Sequence, residues 1–214
     1  MDSSNAARPL EESGRDSVRA PLFALALEPF EDDRRRVVLD LGRARSGTIE
    51  LFSRFRCRLD VIDLPASLEH LPDPDEPAEV SRWLDRLLPA TGGERVDLVL
   101  CWNLLNYLSP ALIEALGARL AERSAPGARL HALIEYSAKQ MPARPLSFSP
   151  EDEEIGADHP LGTATIAAPR YTPKALEKRL PGFSSERTML LGNGMQEFLY
   201  RRSSDDSSPP EQSQ

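Results

Sequence analysis

Residues 36–64 read RVVLDLGRARSGTIELFSRFRCRLDVIDL, and they decide the fold by spelling a strand, a glycine-bearing turn, a helix and a second strand that ends in an acid. Val37, Val38, Leu39 and Leu41 form a short apolar run suited to a strand covered on both faces in a parallel sheet. Asp40 interrupts that run near its carboxyl end. Ligands of open α/β sheets bind beyond the carboxyl ends of strands, so this acid is expected to face a crevice rather than the core. Gly42 and Gly47 bracket the turn, and Ile49, Phe52 and Phe55 give residues 48–55 the apolar spacing of a helix. Residues 59–64 make the second strand and close on Asp63. The offset of 21 from Gly42 to Asp63 is close to the roughly 20 residues at which such folds place an acid against a ribose hydroxyl pair. Two hydroxyls and one carboxylate make a bidentate match, so the stretch reads as the front half of a nucleotide-cofactor site.

Two cofactor classes fit these letters, because Gly42-x-Ala44-x-x-Gly47 is also a dinucleotide fingerprint with its middle glycine replaced. The acid two positions before Gly42, together with residues 96–108, VDLVLCWNLLNYL, separates them. Asp40-Leu41-Gly42, Asp63 and Asp97-Leu98-Val99 stand in the order and approximate spacing of the class I S-adenosylmethionine-dependent methyltransferases, which the chain resembles over roughly residues 37–200. The resemblance implies S-adenosylmethionine as cofactor. It places Asp40 and Gly42 near the amino-acid part of that cofactor, Ala44 in the same loop, Asp63 on the ribose, and Trp102 and Asn103 at the methionine end. The chain departs from the family pattern in two places. The second and third glycines of the motif fall on Ala44 and Ser46, and residues 65–95 contain no third strand and no equivalent of the adenine-side acid. They contain instead a proline-rich acidic turn and a helix with Val80, Trp83, Leu84, Leu87 and Leu88 on one face.

The second half supplies the rest of an α/β layout. Ser109-Pro110 is a helix start, an N-cap followed by proline at the first helical position, and Leu112, Ile113, Leu116 and Leu120 form its apolar stripe. Residues 129–136 read as the next strand, and Thr172-Pro173 repeats the start signal before Leu176 and Leu180. Residues 187–191 and 195–201 flank Gly192-Asn193-Gly194, a turn signal that makes them an antiparallel hairpin. Residues 22–30 read as a short helix on the sheet, with a cofactor lid as the other reading. The long connection 137–170 is where substrate identity is expected to be decided. Lys139, Arg144 and Arg170 would suit an anion, residues 151–154 and Asp158 a cation, and a solvated excursion suits both signs at once. Asn103, Asn106 and Tyr107 follow the fourth strand of the family layout, where the fold presents the methyl to its acceptor. Asn103 and Tyr107 are therefore the candidate catalytic residues, against the alternative that Tyr107 is a packing residue at a helix start.

Composition agrees with one such domain: 214 residues, 40% of them hydrophobic, suffice for a single core. Residues 1–20 and 203–214 are poor in bulky apolar residues and are expected to be disordered tails around a domain at 21–202. The net charge is −8, of which the tails hold half, and an acidic core argues against nucleic-acid binding. No run approaches a membrane span and the acidic start lacks a signal peptide's features, so no membrane association and a cytoplasmic location are expected. Cys57 and Cys101 read as buried free thiols, and His70, His131 and His159 are too scattered for a metal site, so none is expected. Arg34, Arg35, Arg36, Arg54, Arg56 and Arg58 read as a solvated rim.

The expected architecture is therefore a Rossmann-like methyltransferase fold, with a mainly parallel central sheet flanked by helices and a C-terminal antiparallel hairpin. The expected function is S-adenosylmethionine-dependent methyl transfer to a small molecule or protein side chain. A non-catalytic relative kept for partner or ligand binding, motivated by Ala44, Ser46 and the missing third strand, is the alternative. A nicotinamide-dependent oxidoreductase is the third reading.

Overall fold

The computed structural model describes residues 15–89, 93–151, 154–159, 162 and 164–203. β1 (Arg15–Arg19) is followed by α1 (Pro21–Leu27), which runs into a 3-10 turn over Glu28–Glu31. β2 (Arg36–Asp40), α2 (Ser46–Ser53) and β3 (Cys57–Val61) form the strand-helix-strand unit expected from the sequence. A 3-10 segment over Leu64–His70 and α3 (Pro77–Leu87) lead to β4 (Val96–Trp102), a short turn at Leu104–Tyr107, α4 (Pro110–Arg123) and β5 (Ser124–Glu135). An excursion carries β6 (Gln140–Pro142), β7 (Ser147–Glu151), β8 (Glu154–Asp158) and β9 (Thr165–Ala167). The chain ends in α5 (Pro173–Glu177) and the hairpin of β10 (Phe183–Leu190) and β11 (Met195–Arg202).

The main sheet has six strands in the order β10-β11-β5-β4-β2-β3. β3, β2, β4 and β5 are mutually parallel, and β11 is antiparallel to both β5 and β10. Successive residues of a strand point to opposite faces, and β2 feeds two cores accordingly. Val37 and Leu39 join Trp83, Leu84, Leu112, Ile113, Leu116 and Leu176 under α3, α4 and α5. Val38 joins Phe23, Phe52, Phe148 and Ile155 under α1, α2 and the excursion. The caps read from the sequence are in place: Ser109 accepts from the Leu112 amide, and Thr172 from the Ala175 amide at 3.2 Å. Within α2, Phe52 is buried but Ile49 is exposed, because the helix turns that side to solvent.

Among the described residues no strand forms between β3 and β4, as the residues predict. Pro65 lacks an amide to donate, and Asp63 caps the 3-10 segment by accepting from the Ala66 amide at 3.1 Å. β3 is therefore an edge of the sheet. Two expectations are corrected. Residues 15–19, read as part of a disordered tail, form β1, whose partner β8 lies in the excursion: Val18 opposes Ile155 and both are buried. The connection 137–170 is likewise not structureless, because β1, β8 and β7 form a three-stranded antiparallel sheet and β6 pairs with β9. Residues 1–14 and 204–214 of the expected tails lie outside the described residues. Cys101 is a buried free thiol, whereas Cys57 is only half-buried. Among the described residues no helix is long and apolar enough to cross a membrane.

Candidate functional site

The chain leaves β2 for β3 on one side and returns to β4 on the other, so the connections diverge between β2 and β4. Such a switch point opens a crevice beyond the strand ends. Asp40 ends β2 and is fully buried there. Its Oδ1 accepts from the Gly42 amide at 2.8 Å and from the Trp102 indole Nε1–H at 2.6 Å, while Oδ2 is buried with no partner. Burial pushes the Asp40 carboxyl up to about 6, against the two hydrogen bonds that favour its ionised form.

Trp102 ends β4. The strand is bulged between Leu100 and Trp102, and Trp102 has φ 47°, the one positive φ outside glycine among the described residues. A bulge re-aims side chains, and a bulky residue in the left-handed region holds backbone strain. Here the indole is turned over Gly42: a Cβ on that glycine would lie 2.6 Å from Trp102 Cδ1. The ring stacks on Phe148 at 5.5 Å and 8°, and on Phe23 at 5.7 Å and 28°.

Asp63 lies beyond the end of β3 and is about half exposed, 3.9 Å from the Arg43 guanidinium. Beside it opens a cleft of about 520 Å³ whose walls include Arg43, Pro65, Ala66, Leu68 and Arg144. Ala44 is exposed on the loop between Arg43 and Arg45, and Arg45 is ion-paired with Asp158 of β8. Asn103 is buried with its Oδ1 unpartnered. Asn106 braces the end of β5: its Nδ2 donates to the carbonyls of Asn103 and Leu133, and its Oδ1 accepts from the Glu135 amide. The Tyr107 hydroxyl lies 3.0 Å from the carbonyl oxygens of both Pro142 and Arg144, so it tethers the excursion. Burial, helped by the charge of Glu135, pushes its phenol up and keeps it protonated.

Asp40, Gly42, Trp102 and Asn103 thus stand buried at the ends of β2 and β4, while Asp63 and Ala44 are exposed on the loops beyond β3 and β2. Sequence reasoning missed the residues behind the buried group. Glu197 of β11 is fully buried and accepts from the Leu22 and Phe23 amides at 3.0 and 2.7 Å, with His131 Nε2 2.8 Å from its Oε1. A charged residue in phase with Met195 and Leu199 was the available signal, since these two face the same core. Phe23 and Phe148, which stack on the indole, carried none.

No family model and no curated protein matches the chain. Solved structures do. The 1,6-didemethyltoxoflavin-N1-methyltransferase of Burkholderia thailandensis, with bound 1,6-didemethyltoxoflavin and S-adenosylhomocysteine, superposes with a TM-score of 0.51 at 18% identity, over 86% of this chain and 77% of that one. A S-adenosylmethionine-dependent methyltransferase of Clostridium acetobutylicum gives a TM-score of 0.51 at 11% identity, over 87% of this chain and 91% of that one. With its parallel β3-β2-β4-β5 core and antiparallel β11, the chain has the fold of the class I S-adenosylmethionine-dependent methyltransferases.

Proposed function

We propose that the crevice binds S-adenosylmethionine and that the protein is a methyltransferase acting on a small molecule or a protein side chain. One observation carries this reading. Asp40 Oδ2 and Asn103 Oδ1 are buried acceptors without donors at the switch point of a methyltransferase fold. An unmatched buried acceptor costs about 1–3 kcal/mol, and the ammonium of an amino-acid ligand supplies the donors both lack. Asp63, half exposed beside an open cleft, suits a ribose hydroxyl pair. Ala44, being exposed, leaves the loop free to approach a ligand.

When bound, the cofactor supplies an electrophilic methyl on a positively charged sulfur. The chain's own groups orient and neutralise: Asp40 sets a negative charge at the amino-acid end, and Asn103 offers its amide oxygen. Tyr107, kept protonated and tied to two carbonyls, does not act as a base. That arrangement suits an acceptor, such as an amine, that needs positioning more than deprotonation. The Burkholderia neighbour is named for methylating 1,6-didemethyltoxoflavin, which puts small molecules among the acceptors this fold serves.

Isothermal titration with S-adenosylhomocysteine, using NADH as control, tests the reading. Micromolar binding of the former alone supports it, and binding of NADH alone turns it to the oxidoreductase. Binding of neither favours the non-catalytic alternative, which the indole lying over Gly42 motivates. Within a binding protein, Asp63→Ala should weaken S-adenosylhomocysteine roughly 10- to 100-fold, the loss of one hydrogen bond to a charged group. Unchanged affinity would remove Asp63 from the site.

A further inference from the structure

We propose that Trp102 is the specificity-determining residue of the crevice: its indole occupies the switch-point space that the amino-acid limb of a ligand needs, so a full-length ligand enters only by turning the indole out. This rests on the reading of the crevice as a cofactor site and adds a selection step to it. Four observations converge. The indole, rather than open space, covers the bare side of Gly42. Its placement is built, because a bulge and a φ of 47° are both spent on aiming it there. The carboxylate that holds the indole keeps a second buried oxygen, Asp40 Oδ2, without a donor, so the strand end retains an acceptor that the indole does not satisfy. Its side-chain holds are separable: one hydrogen bond, to Asp40, stacking on Phe148 from β7 and Phe23 from α1, and an edge contact with His131 at 6.2 Å.

The opposite half of the crevice is untouched. Asp63 and the 520 Å³ cleft lie past β3, on the far side of β2 from Trp102. The closed crevice therefore admits a nucleoside and resists the amino-acid extension.

The test compares S-adenosylhomocysteine with adenosine, which lacks the limb. Trp102→Gly, which suits φ 47°, should bind S-adenosylhomocysteine roughly tenfold tighter than the parent, with adenosine unchanged. Phe148→Leu removes a stacking partner and leaves Asp40, Gly42 and Trp102 intact, so it should move affinity the same way and keeps the test decidable where the glycine variant fails to fold. Trp83 lies in the other core, so in a Trp83→Phe background the emission reports Trp102 alone. It should shift to the red with S-adenosylhomocysteine and stay fixed with adenosine. Equal affinities for S-adenosylhomocysteine in parent and variants with unchanged emission, or weaker binding in Trp102→Gly, would overturn the gate while leaving the cofactor site standing. No binding of S-adenosylhomocysteine by parent or folded variants would overturn both.

Discussion

Burial at the end of β2 raises the Asp40 carboxyl to about 6 from an ordinary 3.8, and the direction sets how stability depends on pH. Between those two values the folded chain holds a proton that the unfolded chain has released, so stability falls as pH rises through the window and the loss is complete above about 6. The difference corresponds to roughly 3 kcal/mol. Asp40→Asn removes the titration, so urea unfolding should show the parent losing that much more than the variant between pH 4 and pH 7. Parallel profiles would mean that water reaches the carboxyl. The placement of Asp40, Asp63 and Asn103 at or just beyond strand ends was legible in the sequence, because a strand end needs only the residues of that strand. The pose of Trp102 was not: it depends on Phe148 and Phe23, which other elements deliver.

Among the elements, α1 shows how a seven-residue helix is held by something other than its own turns. Its first amides would be unmatched in a buried setting, and Glu197 meets two of them while also contacting His131. Glu197→Ala strands the Leu22 amide, leaves the Phe23 amide with the Ala20 carbonyl alone and removes the partner of the buried His131 ring, and should cost on the order of 3–5 kcal/mol in denaturant unfolding. A loss below about 1 kcal/mol would mean that water replaces the carboxylate. Helices α3 and α4 and the C-terminal hairpin were readable because apolar spacing, N-caps and the Gly-Asn-Gly turn act locally. The sheet of β1, β8 and β7 was not. Each of its strands is short, β7 carries Pro150 at a sheet edge, and its placement comes from contact with α2, where a side chain on Gly47 would run into Ser149.

Across the whole molecule, the two sheets should not open together. The centre of the main sheet is sealed: Leu98, Val99, Leu100, Leu130, Leu133 and Ile134 have no exposed surface, so its amides should exchange only through global unfolding. β1, β8 and β7 bury little beyond Val18, Phe148, Ile155 and Ala157, and exposed ion pairs such as Arg15 with Glu151 add little. This sheet should open at a lower free energy than the main one and appear in native-state hydrogen exchange as a separate unit. β3, an edge because no third strand covers it, should exchange faster than β2 or β4. The order matters for the crevice. Phe148, which backs the indole of Trp102, rides on the sheet that opens first, so local opening loosens the indole without disturbing Asp40 or Asp63. Protection in β1, β7 and β8 equal to that in β4 and β5 would make the two sheets one cooperative body, and the indole would then have to turn within a rigid frame.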